Sequence, residues 1–172
     1  MVARSENEST ATKSRTTVER KSDRELVVTR TINGPARLVF EAWTKAELFK
    51  RWWVPASFGL NLLSCETDVR VGGGYRLVFA HGDSTMAFFG KYLEVIPNSR
   101  LVWTNEETEG GAVTTLTLEE KGDKTLLVLV DTFPTKEALD AAMESGEKSG
   151  MSETFEQLEE LLVTLGTRAA TG

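Results

Sequence analysis

From Leu60 to Thr132 the chain falls into six short segments in which apolar and polar residues alternate, at about 60–69, 74–80, 85–95, 100–105, 113–119 and 124–132. Alternation with period two marks a strand with one buried face. The gaps carry Gly72-Gly73-Gly74, His81-Gly82-Asp83, Pro97-Asn98, Glu109-Gly110-Gly111 and Lys121-Gly122-Asp123, which is turn chemistry of hairpin type. None of these gaps has room for the crossover helix that parallel strands require, so the pairing must be antiparallel. An earlier segment, 25–32, alternates too. Leu26, Val28 and Ile32 take one side, with Val27, Thr29 and Thr31 on the other.

Helical spacing brackets this sheet. After Asn33-Gly34-Pro35, the residues Leu38, Val39, Ala42 and Trp43 recur at the period of a helix, with Pro35 suited to its first turn. A second short helix is expected over 47–53, ended by Pro55. Beyond Phe133-Pro134 the pattern is helical again, near 136–143 and then near 150–165. In the latter, Met151, Phe155, Leu158, Leu162 and Leu165 form one apolar stripe, so this helix should cover the sheet. The order of elements is α+β: a curved antiparallel sheet of about seven strands, two short helices and a long C-terminal helix.

The domain expected from this pattern spans 24–166. Residues 1–23 are polar and nearly devoid of large apolar side chains, which reads as a disordered tail, and 167–172 as a disordered C-terminus. With 172 residues there is room for one core. The lone Cys65 allows no internal disulfide and sits among Leu62, Leu63 and Thr67 as a core residue would.

Composition then removes whole classes of function. A net charge of −6 does not suit a nucleic-acid partner. No stretch approaches the about 20 apolar residues of a membrane span, and no signal peptide is visible, so the cytoplasm is the expected compartment and no membrane partner is expected. One His and one Cys do not make a metal site, and the three glycines join two strands instead of opening a phosphate-binding helix, so neither metal nor cofactor is expected.

Five motifs follow one another in order. They are Thr29-Arg30-Thr31-Ile32-Asn33-Gly34-Pro35, Leu38-Val39-Phe40-Glu41-Ala42-Trp43-Thr44, Arg51-Trp52-Trp53-Val54-Pro55, Cys65-Glu66-Thr67-Asp68-Val69-Arg70-Val71-Gly72-Gly73 and Leu93-Glu94-Val95-Ile96-Pro97. Together they resemble the family similar to the C-terminal domain of the activator of Hsp90 ATPase, within the START-like, helix-grip, polyketide-cyclase superfamily. The resemblance covers about 24–165. It implies a helix-grip fold, in which the sheet grasps the C-terminal helix around a cavity, and it does not imply one activity. Members often carry Gly in place of Val54 and His in place of Asp131. Members that stimulate Hsp90 carry a separate N-terminal domain, where this chain has a short polar stretch before its first strand.

A curved sheet and one helix cannot touch everywhere, so a gap is expected between them. Alternation places Tyr75, Leu77, Phe79 and His81 on one face, with Leu101 and Trp103, Leu116 and Leu118, and Leu127, Leu129 and Asp131. The expected ligand-binding set is Trp53, Phe58, Tyr75, Leu77, Phe79, Trp103, Leu116, Leu129, Met143, Met151 and Phe155. For any one of these aromatics plain core packing is the first reading. Trp52 and Trp53 point about 100° apart on a helix, so one belongs to the core and Trp53 to the cavity rim. Trp43 should anchor the first helix.

Acid/base chemistry would draw on His81, Asp131 and Glu94, with Glu66 and Asp68 as further polar candidates, and Arg30 is expected to pair with a strand carboxylate. His81 reads first as a solvated turn residue. The favoured function is binding of a small hydrophobic ligand, such as a lipid, polyketide or aromatic metabolite, by a carrier, sensor or sequestering protein. The alternatives are a cyclase- or hydrolase-type enzyme and an Hsp90 co-chaperone-like module. The expected partners are therefore a small apolar molecule and, as the second candidate, a chaperone, with the chain a monomer or weak homodimer.

Overall fold

The computed structural model describes residues 16–54, 61–106, 111–145 and 151–171. Eight strands, Thr16–Arg20 (β1), Glu25–Ile32 (β2), Asn61–Thr67 (β3), Gly74–His81 (β4), Ser84–Ile96 (β5), Arg100–Thr104 (β6), Val113–Lys121 (β7) and Lys124–Thr132 (β8), form one sheet in the order β1-β2-β8-β7-β6-β5-β4-β3. Every pairing is antiparallel. Gly82 and Gly122 take left-handed backbone angles at the tips of the β4–β5 and β7–β8 hairpins, where a side chain would be strained.

β5 links the two halves of the sheet. Its first part pairs with β4 and its last part with β6, with a bulge between Tyr92 and Glu94. A bulge bends the strand and increases local twist, which turns the β3–β4 half relative to the rest. Backbones approach closely at the same place. A Cβ on Gly90 would lie 1.9 Å from the Thr104 carbonyl oxygen, so only glycine fits there.

The helices are Ala36–Thr44 (α1), Ala46–Phe49 (α2), Lys136–Ser145 (α3) and Met151–Thr171 (α4). α1 starts at Pro35, whose carbonyl accepts from the Leu38 and Val39 amides, and the Glu120 carboxylate accepts from the Ala36 amide at 3.3 Å. An acid at a helix N-terminus meets an unpaired N–H and the positive end of the dipole. α4 lays Phe155, Leu158, Leu161 and Leu162 on the sheet against Val28, Ile32, Leu116, Leu127 and Leu129, all buried. α3 closes a smaller cluster, with Leu139 and Ala142 packed among Leu26, Ala112 and Phe133.

Three expectations change. The segment 16–20, placed in the polar tail, is an edge strand: β1 pairs along β2 from Thr16↔Arg30 to Arg20↔Leu26. Backbone pairing and polar anchors hold it in place of apolar burial. Thr16 Oγ1 accepts from Arg30 Nη1 at 2.7 Å, and Arg20 pairs with Asp140 of α3 at 2.7 Å. At the other end, helix continues to Thr171, beyond the expected stop near 166. Arg30 does not pair with a strand carboxylate. Its Nη2 reaches across to Glu159 on α4 at 3.0 Å, and the Glu159 carboxylate also accepts from the Asn33 amide.

Candidate functional site

The sheet and the α1–α2 corner enclose a partly open cavity of about 80 Å³. Trp43 of α1, Phe49 of α2 and Trp53 form its helical wall. The sheet contributes Tyr75 and Leu77 from β4, Phe88 and Tyr92 from β5, and Trp103 from β6, while Thr67 and Asn105 add polar groups at the ends of β3 and β6. No described residue of α4 lines it. The Trp43 ring, part of the cavity wall, lies 4.7 Å from the Trp52 ring, and Phe155 lies 6.4 Å from each of them.

The Trp52-Trp53 pair divides as the helical geometry requires. Trp52 is fully buried and donates its indole N–H to the Ala42 carbonyl at 3.0 Å. Trp53 is half-buried and stacks on Phe49 at 5.0 Å. This short segment is tied to α4 through its backbone: Gln157 Nε2 donates to the Trp52 and Val54 carbonyls, both at 2.8 Å. The aromatic wall therefore rests on a fixed support and has one face toward solvent.

Polar groups cluster at one end of the cavity. The Tyr75 hydroxyl lies 2.7 Å from the Thr104 carbonyl and 3.2 Å from Asn105 Oδ1. Asn105 Nδ2 donates to the Ala112 carbonyl at 2.7 Å and to Thr114 Oγ1 at 3.0 Å, and Thr114 Oγ1 donates to the buried Asp131 carboxylate at 2.7 Å. A continuous hydrogen-bonded line thus runs from the cavity to Asp131. Thr67 donates its hydroxyl to the Thr44 carbonyl at 3.1 Å, which leaves its oxygen as an acceptor. Burial pushes the Tyr92 phenol well above its ordinary value, helped by the Cys65 thiolate once it ionises in alkali and by the Asp68 charge. Among the described residues the Trp43 indole N–H is buried and meets no acceptor, an arrangement that costs about 1–3 kcal/mol.

The expected site residues scatter. Trp53, Tyr75, Leu77 and Trp103 meet at the cavity. Phe79, Leu116, Leu129 and Phe155 lie on the same side of the sheet but are packed into the core. Met143 is exposed on α3, Phe58 lies outside the described residues, and so does the side chain of Met151. Trp43, expected only as the anchor of the first helix, is part of the wall, and Phe49, Thr67, Phe88, Tyr92 and Asn105 complete it without having been expected there. For β5 the signal was present, because the polar Lys91 marks the outward parity and leaves Phe88 and Tyr92 facing inward.

Of the acid/base candidates, His81 ends β4 opposite Ser84. Its side chain lies outside what is described. Glu94 is half-exposed and ion-paired with Arg100. Asp131 is buried behind Thr114. Glu66 and Asp68 are exposed on the rim of a separate, shallow groove, with Asp68 paired to Arg70 at 3.0 Å. Burial raises the Cys65 thiol above its ordinary value, although the Lys50 charge opposes this, so the thiol is poorly ionised at neutral pH. The described residues contain no cluster of metal-ligating side chains and no helix long and apolar enough to cross a membrane.

Solved structures share this architecture. A protein from Nitrosomonas europaea is 25% identical, with 86% of this chain and 99% of that chain covered and a TM-score of 0.77. One from Staphylococcus epidermidis is 28% identical over 86% and 94%, with a TM-score of 0.72. One from Rhodobacter sphaeroides, at 22% identity over 87% and 99%, reaches 0.80 and is like this chain in fold. No curated protein matches the chain. Residues 33–163, from the turn before α1 into the last helix and including every residue of the cavity wall, match the model of one family. The chain belongs to the family of Activator of Hsp90 ATPase homolog 1-like proteins.

Proposed function

We propose that this protein binds a small apolar molecule in the aromatic cavity between the sheet and the α1–α2 corner, as a carrier, sensor or sequestering protein. The observation that carries this reading is the wall itself. Eight aromatic or aliphatic side chains of the sheet and the α1–α2 corner converge on space that they leave unfilled, although protein interiors normally pack without voids larger than water. The polar groups on the wall are hydroxyls and an amide. A cyclase- or hydrolase-type reaction would need a proton donor and acceptor matched to neutral pH, and burial moves Tyr92 away from that range. The family's namesake links it to a chaperone, but the cavity needs no such partner.

Size limits the guest. About 80 Å³ is far below the roughly 300–1,000 Å³ of a site for drug-sized ligands. A single ring burying ~150 Å² of apolar area gains about 4 kcal/mol before association costs, so a bare ring binds weakly. A lipid or polyketide would fit only if Trp53, the half-exposed part of the wall, swings outward.

Native mass spectrometry of freshly purified protein, with a tryptophan-fluorescence titration of toluene and naphthalene, tests the reading. Saturable binding that Leu77→Trp abolishes without unfolding supports it. No guest in the purified protein and no saturable response to either probe would overturn it.

A further inference from the structure

The polar end of the cavity is arranged with a definite sense of donor and acceptor. Asp131, as a carboxylate, only accepts, so the single hydrogen of the Thr114 hydroxyl is committed to it at 2.7 Å. The Thr114 oxygen must then accept from Asn105, which sets the amide nitrogen toward Thr114 at 3.0 Å and the Ala112 carbonyl at 2.7 Å. Both hydrogens of that amide are used. Asn105 Oδ1 is left on the cavity side, 3.2 Å from the Tyr75 hydroxyl, whose own hydrogen has a closer acceptor in the Thr104 carbonyl at 2.7 Å. The sheet thus presents the cavity with an acceptor. Its orientation is fixed by a buried acid two hydrogen bonds away.

The helical wall carries the complementary need. Trp43, 3% exposed and part of the cavity wall, has an indole N–H with no acceptor among the described residues. A buried donor left unmet is destabilising, and an oxygen brought in beside this ring is the acceptor that the described residues do not supply. An oxygen that also bears a hydrogen answers the Asn105 side.

We infer that the guest is a small aromatic alcohol, whose ring lies among the aromatic side chains, whose hydroxyl donates to Asn105 Oδ1 and whose oxygen chemistry suits the Trp43 N–H. Asp131 acts as a positioning residue for Asn105. This inference rests on the reading of the cavity as a binding site and adds a chemical class to it.

Phenol, anisole and toluene are nearly equal in size and separate the possibilities. Phenol donates and accepts, anisole only accepts, and toluene does neither. A purely apolar cavity would favour toluene, because the phenol hydroxyl loses its water without compensation. Calorimetric or fluorescence titration of the full chain is expected to give phenol at least tenfold tighter than toluene, with anisole between. Asn105→Leu should erase the preference for phenol over toluene. Asp131→Leu should do the same, while Asp131→Asn, whose carbonyl oxygen still accepts from Thr114, should keep the preference. Trp43→Phe should weaken anisole and phenol several-fold more than it weakens toluene. Toluene binding equal to or tighter than phenol overturns the inference and leaves the cavity reading standing. Saturable binding of none of the three overturns both. The wild-type affinities decide by themselves, so a variant that fails to fold does not remove the test.

Discussion

The two halves of the sheet are filled in different ways. Under α4, strands β2, β7 and β8 present Val28, Ile32, Leu116, Leu127 and Leu129, each at most 3% exposed, to Leu158 and Leu162. Under α1 and α2, strands β4 to β6 present rings: Tyr75, Phe88, Tyr92 and Trp103 face Trp43, Phe49 and Trp53. Branched aliphatic side chains interdigitate from two surfaces and close the gap. Flat rings meet edge-on or offset, as Trp43 and Trp52 do at 73° and Phe49 and Trp53 do at 26°, and such contacts leave wedges between them. One half is therefore sealed, and the other keeps an open space.

That contrast is sharpest in the cost of truncation. Leu158→Ala should lower stability by about 2–5 kcal/mol, because the sealed half cannot collapse onto the cavity created. Trp53→Ala removes a larger side chain but one already half in solvent beside existing space, and should cost only about 1 kcal/mol. Urea denaturation of both variants checks this. Equal losses would mean that the α1–α2 corner is packed as tightly as the core.

The sealed half also contains a buried charge. Arg30 has a fully buried side chain and Glu159 one that is 18% exposed, and their bond clamps α4 to β2. Glu159→Leu should cost about 3 kcal/mol, since it leaves the guanidinium without its counter-charge, while the double variant Arg30→Met/Glu159→Leu should recover most of that. A double variant no better than the single one would show that the pair stabilises by more than mutual compensation.

Alternation along the sequence made one aspect of this organisation legible and hid another. The inward set Tyr75, Leu77, Trp103, Leu116, Leu127, Leu129 and Asp131 follows directly from period two, and the apolar stripe of α4 from period 3.6. Period two reports the face of a residue, however, and says nothing of its position across the sheet. Leu116 and Leu129 could not be separated from Leu77 until the strand order put them under α4. β1 was invisible for a different reason. Its only large apolar residue, Val18, is 45% exposed, and the interactions that hold the strand are made with Arg30 and Asp140, distant in sequence. Asn105 was likewise hidden, because its importance comes from Thr114, Asp131 and Tyr75 meeting around it.

The cavity half should also respond to alkali in its own way. Burial raises the Tyr92 phenol in the folded protein above its ordinary value of 10. Below that value the phenol is protonated in both states, and its contribution to stability is fully present. As pH rises past it the unfolded chain ionises first, and stability is lost progressively toward the folded value. Melting temperatures measured from pH 9 to 12 should therefore fall, with a shallower fall in Tyr92→Phe. Parallel slopes would assign the loss to other groups.

The smallest expected effect bears on where the sealed half ends. β1 buries little, so its contribution should reside in the Thr16 hydroxyl, which accepts from the buried Arg30 guanidinium, and not in its apolar side chain. Thr16→Val keeps the shape and the strand propensity but takes away the acceptor, and should cost about 1 kcal/mol. Val18→Ala, at an exposed position of an edge strand, should stay within about 0.5 kcal/mol. Their order is informative because apolar area and hydrogen bonding predict opposite rankings. If Val18→Ala were the more damaging, β1 would be held by burial like the strands it joins. If Thr16→Val were, the seal over Arg30 would extend to the edge of the sheet through a single hydroxyl.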